Sequence, residues 1–164
     1  MMAHAWVDGR LVDAAAPVLP VTETGFTVGD GVFTTTVVTD GVPFALGRNL
    51  ERLTRHAARA GLPVPDPGRL RAAVFELLDA DGVRSGRLRL TVTVGVQAIT
   101  VGPPSAYGSV STAVTLPWRR NERGPLAGVK STSFGENVVA QRYFRPLGAD
   151  EGLLANTVDE VCEG

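Results

Sequence analysis

The apolar positions of this chain change period several times, and each change marks an element. His4 to Ala14 (HAWVDGRLVDA) reads as two short strands around Asp8-Gly9, a dipeptide suited to a tight turn with positive φ. Residues 15–20, rich in alanine and proline, form a connector. Gly25, Gly29 and Gly31 precede a β-branched run from Val32 to Thr39, which predicts a strand. Asp40-Gly41 turns it into a partner strand over residues 42–46.

Helical spacing then takes over. Asn49 is placed to cap a helix over residues 50–60, with Leu50, Leu53, Ala57 and Ala60 on one face, Gly61 past its end and Pro63 stopping it. A second helix has Asp66 as its cap and Pro67 at its first position. It turns Leu70, Ala73, Val74, Leu77 and Leu78 inward and ends near Asp81-Gly82. GRLRLTVTVG alternates strictly, Leu88, Leu90, Val92 and Val94 against Arg87, Arg89, Thr91 and Thr93, as a half-exposed antiparallel strand does. Gly102-Pro103-Pro104 breaks the pattern and a strand resumes over residues 109–116. A domain boundary is expected at about residues 102–115, separating 1–112 from 113–164. Ser133 and Glu136 form an S-x-x-E capping box for a helix from about Phe134 to Leu147, with Gly148 at its end. A strand over residues 151–156, a turn over 157–160 and a new strand from Val161 complete the α/β pattern.

Composition narrows the function. A net charge of −1 gives no electrostatic case for nucleic acid or an acidic membrane surface. No apolar run approaches a membrane span, and the N-terminus lacks a basic-then-apolar signal pattern. The single cysteine, Cys162, excludes an intrachain disulfide, fits a cytoplasmic setting and is expected to pack as a small apolar residue. His4 and His56 have no companions at ligand spacing, so no metal site is expected. GDG at 29–31 precedes a strand rather than a helix, which suits a tight turn and not a dinucleotide.

Of the 16 lysine and arginine residues, only Lys130 is a lysine. Lysine can lose its proton near neutral pH, act as a nucleophilic amine and form an imine with a carbonyl; arginine cannot. A helix N-terminus just after Lys130 would favour the neutral amine. Arg52, one residue before Leu53, has a solvated helix position as its ordinary reading, and Glu163 alone reads as an exposed acid.

Four segments in order, GDGVFTTT (29–36), NLERL (49–53), LAGVKSTS (126–133) and GADEGLLAN…EVCEG (148–164), resemble the fold-type IV pyridoxal-phosphate enzymes. That family includes branched-chain and D-amino-acid aminotransferases and 4-amino-4-deoxychorismate lyase. The resemblance spans nearly the whole chain. It implies a two-domain α/β fold, an N-terminal α+β domain followed by the truncated start of a pseudo-barrel cofactor domain, working as a homodimer on a small molecule. It implies that Lys130 carries pyridoxal phosphate covalently and moves the substrate Cα proton. Arg52 matches the arginine of an H-x-x-R-L motif that holds the cofactor phosphate. Glu163 matches the acid that pairs with the pyridine nitrogen. GDGVFTT and the pattern of Arg120, Asn121 and Leu126 to Lys130 resemble the lyase branch, since aminotransferases more often carry an acid where Thr34 stands. The implied reaction releases pyruvate and 4-aminobenzoate for folate synthesis, with an aminotransferase as the nearest alternative. A non-catalytic fragment or degenerate homologue is the reading from another class. Thr35 is the expected substrate-facing hydroxyl.

The chain departs from the family pattern in four places. Asn49 replaces the usual histidine, and TVTVGVQAIT lacks a strand-end arginine for a substrate carboxylate. Asp159 replaces a turn glycine, and the sequence ends at Gly164 where members continue for about a hundred residues, an ordinary domain's worth.

Overall fold

A computed structural model of the chain describes residues 3–16, 18–104 and 108–163. Residues 105–107 of the expected boundary region, and Gly164 of the last motif, lie outside the described residues. The chain divides into two compact units: Met1–Ser105 with Val129–Ser133, and Ala106–Gly128 with Phe134–Gly164.

The first unit carries β1 (His4–Val7), β2 (Arg10–Asp13), a four-residue helix α1 (Thr24–Thr27), β3 (Gly31–Thr39), β4 (Val42–Pro43), α2 (Leu46–Arg59), α3 (Pro67–Ala80), β5 (Ser85–Thr93) and β6 (Gln97–Gly102). Its six strands pair antiparallel in the order β2-β1-β6-β5-β3-β4. Alternation sends Val32, Val38, Leu88, Leu90, Val92 and Ile99 to one face, where they pack with Leu50, Leu53 and Ala57 of α2 and Leu70, Val74 and Leu77 of α3. α3 is capped as expected, Asp66 accepting from the Gly68 and Arg69 amides. Asp81 at its far end accepts from the Ala3 and His4 amides and pairs with His4 Nδ1 at 2.6 Å, which ties β1 to α3.

Two expectations fail here, each for a local reason. α2 starts at Leu46, not after Asn49, so β4 is only two residues long and Ala45 caps the helix in the left-handed region at φ 48°. Asn49 therefore sits inside the first turns, its Nδ2 donating back to the Ala45 carbonyl at 3.1 Å. Val94 is 55% exposed rather than buried. β5 stops at Thr93, whose amide and hydroxyl both close on Val96, and that tight reversal throws Val94 outward.

The second unit holds β7 (Ala113–Arg120), α4 (Gly135–Phe144), a 3-10 turn (Arg145–Leu147), β8 (Glu151–Asn156) and β9 (Val161–Glu163). β7 and β8 run parallel with α4 between them in sequence, and β9 adds antiparallel to β8. Leu116, Ala140, Phe144, Ala149 and Leu154 form its core. Gly152 is required there, because a Cβ would come within 2.7 Å of the Phe144 ring. β7 begins at Ala113, later than the expected residue 109, because pairing starts where the Thr112 carbonyl receives the Asp150 and Glu151 amides. The capping box does not form: Phe134 is the cap residue and makes no side-chain cap bond, since the Ser133 hydroxyl donates to the Gly29 carbonyl instead. Cys162 is exposed on β9 rather than packed. Asp159 does adopt the positive φ, 64°, that its turn position demands. No helix among the described residues is long and apolar enough to cross a membrane.

Candidate functional site

The residues around Lys130 leave the second unit's sequence and attach to the first unit's sheet. Val32 bridges Ser131, the Phe33 amide donates to the Lys130 carbonyl at 2.9 Å, and the Thr132 amide donates to the Gly31 carbonyl at 2.8 Å. Thr132 and Ser133 hydroxyls both donate to the Gly29 carbonyl. The glycines of GDG make this possible. Gly29 holds φ 71°, and a Cβ there would meet the Ser133 backbone at 3.0 Å. The motif is thus a turn that lets another strand lie against β3.

Antiparallel bridging places Lys130 opposite Phe33, and its Nζ lies 4.9 Å from the Phe33 ring centroid. Arg89 stacks on the same ring, its guanidinium carbon 3.8 Å from the centroid, with Nε donating to Thr91 Oγ1 at 3.2 Å. Thr35 pairs with Arg89 across β3 and β5, and alternation sends its side chain to the face that Phe33 shares. This face of the sheet, turned away from α2 and α3, therefore carries an amine and a guanidinium against one aromatic ring, with Thr35 on the same face of β3. Burial first, and Arg87 second, pull Arg89 below the ordinary arginine range. Arg89 joins this group, whereas pattern reading placed it only as one side of an alternating strand.

The helix face carries the second group of residues. Arg52 Nη2 donates to Thr34 Oγ1 at 2.6 Å and to Asn49 Oδ1 at 2.9 Å, and Thr34 Oγ1 donates to Asn49 Oδ1 at 2.8 Å. Thr34 is fully buried, so its hydroxyl is a structural brace rather than a group open to substrate. Arg52 is not the solvated side chain of the ordinary reading. Its Nε is buried and has no hydrogen-bond partner among the described residues, a donor that an anionic oxygen would satisfy. One turn on, His56 is 9% exposed and its Nδ1 accepts the Lys130 backbone N–H at 3.0 Å. The i, i+4 spacing from Arg52 to His56 was visible in NLERLTRH, but a lone histidine gave no reason to use it.

Glu163 belongs to the second unit. Its Oε2 accepts from Arg120 Nη1 at 2.8 Å, while Arg120 Nη2 donates to Asn137 at 2.8 Å. The carboxylate thus has a fixed partner on β7, and Arg120 is a companion that the single-residue reading of Glu163 did not include. Among the described residues no group of three or more acidic, histidine or cysteine side chains could hold a metal ion.

Comparison with known proteins meets this geometry. The family model for amino-transferase class IV matches residues 31–164. The chain is 30% identical to the bifunctional aminodeoxychorismate lyase / D-amino acid transaminase of Mycobacterium tuberculosis, over 96% of this chain and 62% of that one. It is 27% identical to the chloroplastic D-amino-acid transaminase of Arabidopsis thaliana, over 99% of this chain and 48% of that one. Among solved structures, the branched-chain aminotransferase of Thermoproteus uzoniensis superposes with a TM-score of 0.86 at 27% identity, over 98% of this chain and 62% of that chain. The PLP-bound form of a hypothetical aminotransferase from Mycobacterium tuberculosis superposes with a TM-score of 0.82 at 26% identity, over 97% and 64%. This chain therefore spans from about half to just under two-thirds of the length of these relatives. With the matched model covering most of its length, the chain belongs to the class IV amino-transferase family.

Proposed function

We propose that the protein is a pyridoxal-phosphate enzyme acting on a carboxylate-bearing primary amine, and that its reaction is the lyase conversion of 4-amino-4-deoxychorismate to pyruvate and 4-aminobenzoate. The observation that carries the cofactor is Arg52 Nε, buried and without a hydrogen-bond partner among the described residues, on the helix that also holds the Lys130 main chain through His56. An arginine fork already fixed by Thr34 and Asn49 is suited to a phosphate. When bound, pyridoxal phosphate supplies an aldehyde that joins a primary amine and a ring that withdraws electrons from the adjacent carbon.

The chain's own residues then divide the work. Lys130 takes the proton from the substrate Cα and delivers a proton to the departing enolpyruvyl group, which leaves as pyruvate. Glu163 offers its carboxylate to the ring nitrogen, with Arg120 holding the side chain in place. Arg89 anchors a substrate carboxylate as a guanidinium on an apolar ring, and Thr35 provides the neighbouring hydroxyl. Residues 113–164, apart from the 129–133 segment that belongs to the first unit, open the cofactor domain, and the working assembly is a homodimer.

Thr34 supports the lyase branch. Where an aminotransferase more often carries an acid, this chain has a hydroxyl already engaged by Arg52 and Asn49. The amino-acid aminotransferase reading is favoured by the names of the relatives, among which transaminases predominate. Incubation with aminodeoxychorismate distinguishes them. Catalytic release of pyruvate and 4-aminobenzoate without any keto acid supports the lyase; turnover of D- or branched-chain amino acids that requires a keto acid supports the transaminase. Borohydride treatment followed by peptide mapping should fix the cofactor to Lys130, and a protein that takes no label there is not an enzyme of this kind.

A further inference from the structure

His56 makes a hydrogen bond whose direction is informative. The donor is the Lys130 backbone N–H, so Nδ1 must be the unprotonated nitrogen and the proton must sit on Nε2. The imidazole is therefore neutral in this arrangement. Protonating Nδ1 would turn the acceptor into a donor facing another donor, and the bond could not survive. The bond also spans 74 residues of sequence, joining α2 to the segment that carries the amine. On the other side of that segment, the Lys130 carbonyl accepts from Phe33. The peptide groups flanking the Lys130 Cα are thus pinned from both directions, one by sheet pairing and one by a titratable side chain.

We propose that His56 is a positioning residue for Lys130: its neutral imidazole fixes the main chain from which the amine projects, and protonation of His56 releases it. The proposal rests on the reading of Lys130 as the reactive amine for its functional meaning, but not for its geometry. The surroundings favour the neutral state. Desolvation is the largest cause, and the cations Arg55, Arg52 and Arg59 on its own helix and Lys130 on the facing segment add to it. Together they hold His56 below the ordinary histidine range. Because Lys130 is one of those cations, the coupling is reciprocal, and neutralising the amine makes His56 easier to protonate.

The test follows the Lys130 amide by hydrogen exchange and the His56 ring nitrogens by NMR, both against pH, in the protein without cofactor. Once the intrinsic pH dependence of exchange is divided out, protection of the Lys130 amide should fall in step with His56 protonation. Protection at Leu90, in the middle of β5, should not. His56→Asn places a non-titrating acceptor near the Nδ1 position and should keep protection constant across the same range. His56→Leu should lose roughly tenfold at every pH. Lys130→Met should raise the pH at which His56 titrates. A proton on Nδ1 at neutral pH, or wild-type protection in His56→Leu, overturns the proposal. Should the leucine variant not fold, the wild type and His56→Asn decide it, because pH-independent protection in the wild type is equally fatal. Failure of borohydride labelling at Lys130 with the protection pattern intact would sink the enzyme reading and leave this one standing.

Discussion

Arg52 Nη2 donates to Thr34 Oγ1 at 2.6 Å, and that hydroxyl in turn donates a hydrogen bond to Asn49 Oδ1. A residue of α2 and a residue of β3 are thereby locked into one network, with Thr34 fully buried beneath it. Thr34→Val keeps the shape and removes the hydroxyl, so it should cost about 1–3 kcal/mol of stability and loosen Arg52. Thr34→Ser should recover most of it. Denaturant midpoints together with pyridoxal-phosphate affinity check this, and a valine variant unchanged in both measurements removes the bracing role.

Arg52→Ala should weaken cofactor binding by a few kcal/mol, on the order of a lost pair of charged hydrogen bonds. Arg52→Lys should restore only part, because a point charge replaces a planar fork. Equilibrium binding of pyridoxal phosphate reads the difference. Wild-type affinity in the alanine variant returns Arg52 to a purely structural role.

Gly29→Ala places a Cβ at φ 71° and 3.0 Å from the Ser133 backbone. The dihedral alone should cost about 1–2 kcal/mol. The larger expected effect is local: the 131–133 segment must shift, and borohydride labelling of Lys130 should slow more than thermal stability falls. Loss of stability with normal labelling would contradict the role assigned to this turn.

His56 also predicts a pH dependence of stability. Its folded-state value is lowered from the ordinary 6.5, so between the two values the unfolded chain binds more protons than the folded one. Stability should rise with pH across that window. The contribution is present above 6.5 and lost as pH falls through the folded value. His56→Asn should flatten this part of the profile, measured as urea midpoints at several pH values; an unchanged slope would assign it to other groups.

Arg89→Met should raise KM for carboxylate substrates about tenfold to a hundredfold while leaving pyridoxal-phosphate affinity in place. Arg89→Lys should recover little, since an ammonium lacks the flat face that stacks on Phe33. Equal loss of cofactor and substrate binding would mean that Arg89 supports the sheet rather than the substrate.

Much of the fold was legible because period and capping chemistry are local. Asp66-Pro67, Gly61 and the strands over residues 151–156 and 161–163 fall where spacing puts them. Two misplaced helix caps share a cause: a side chain that could cap locally was engaged by another group. Asn49 serves Thr34 and Arg52, and Ser133 serves Gly29. Lys130 stood out because it is the only lysine, whereas Arg89 is one arginine among many and His56 gains meaning only from a partner 74 residues away. Non-local hydrogen bonds leave no periodic trace, and the parts of the site that depend on them could not be read in advance.

The bonds from Thr132 and Ser133 to the Gly29 carbonyl close spans of 103 and 104 residues, and this imposes an order of assembly. Bringing ends that far apart together costs about 4 kcal/mol of chain entropy if nothing between them has folded. Pairing of the strands and helices that precede residue 105 shortens that span, which favours late docking of the amine-bearing segment on a sheet already formed. At ordinary rates of synthesis, Arg52 leaves the ribosome roughly ten seconds before Lys130 does. A nascent chain therefore holds the residues of the Arg52–Thr34–Asn49 network well before the segment that carries Lys130 can dock against β3.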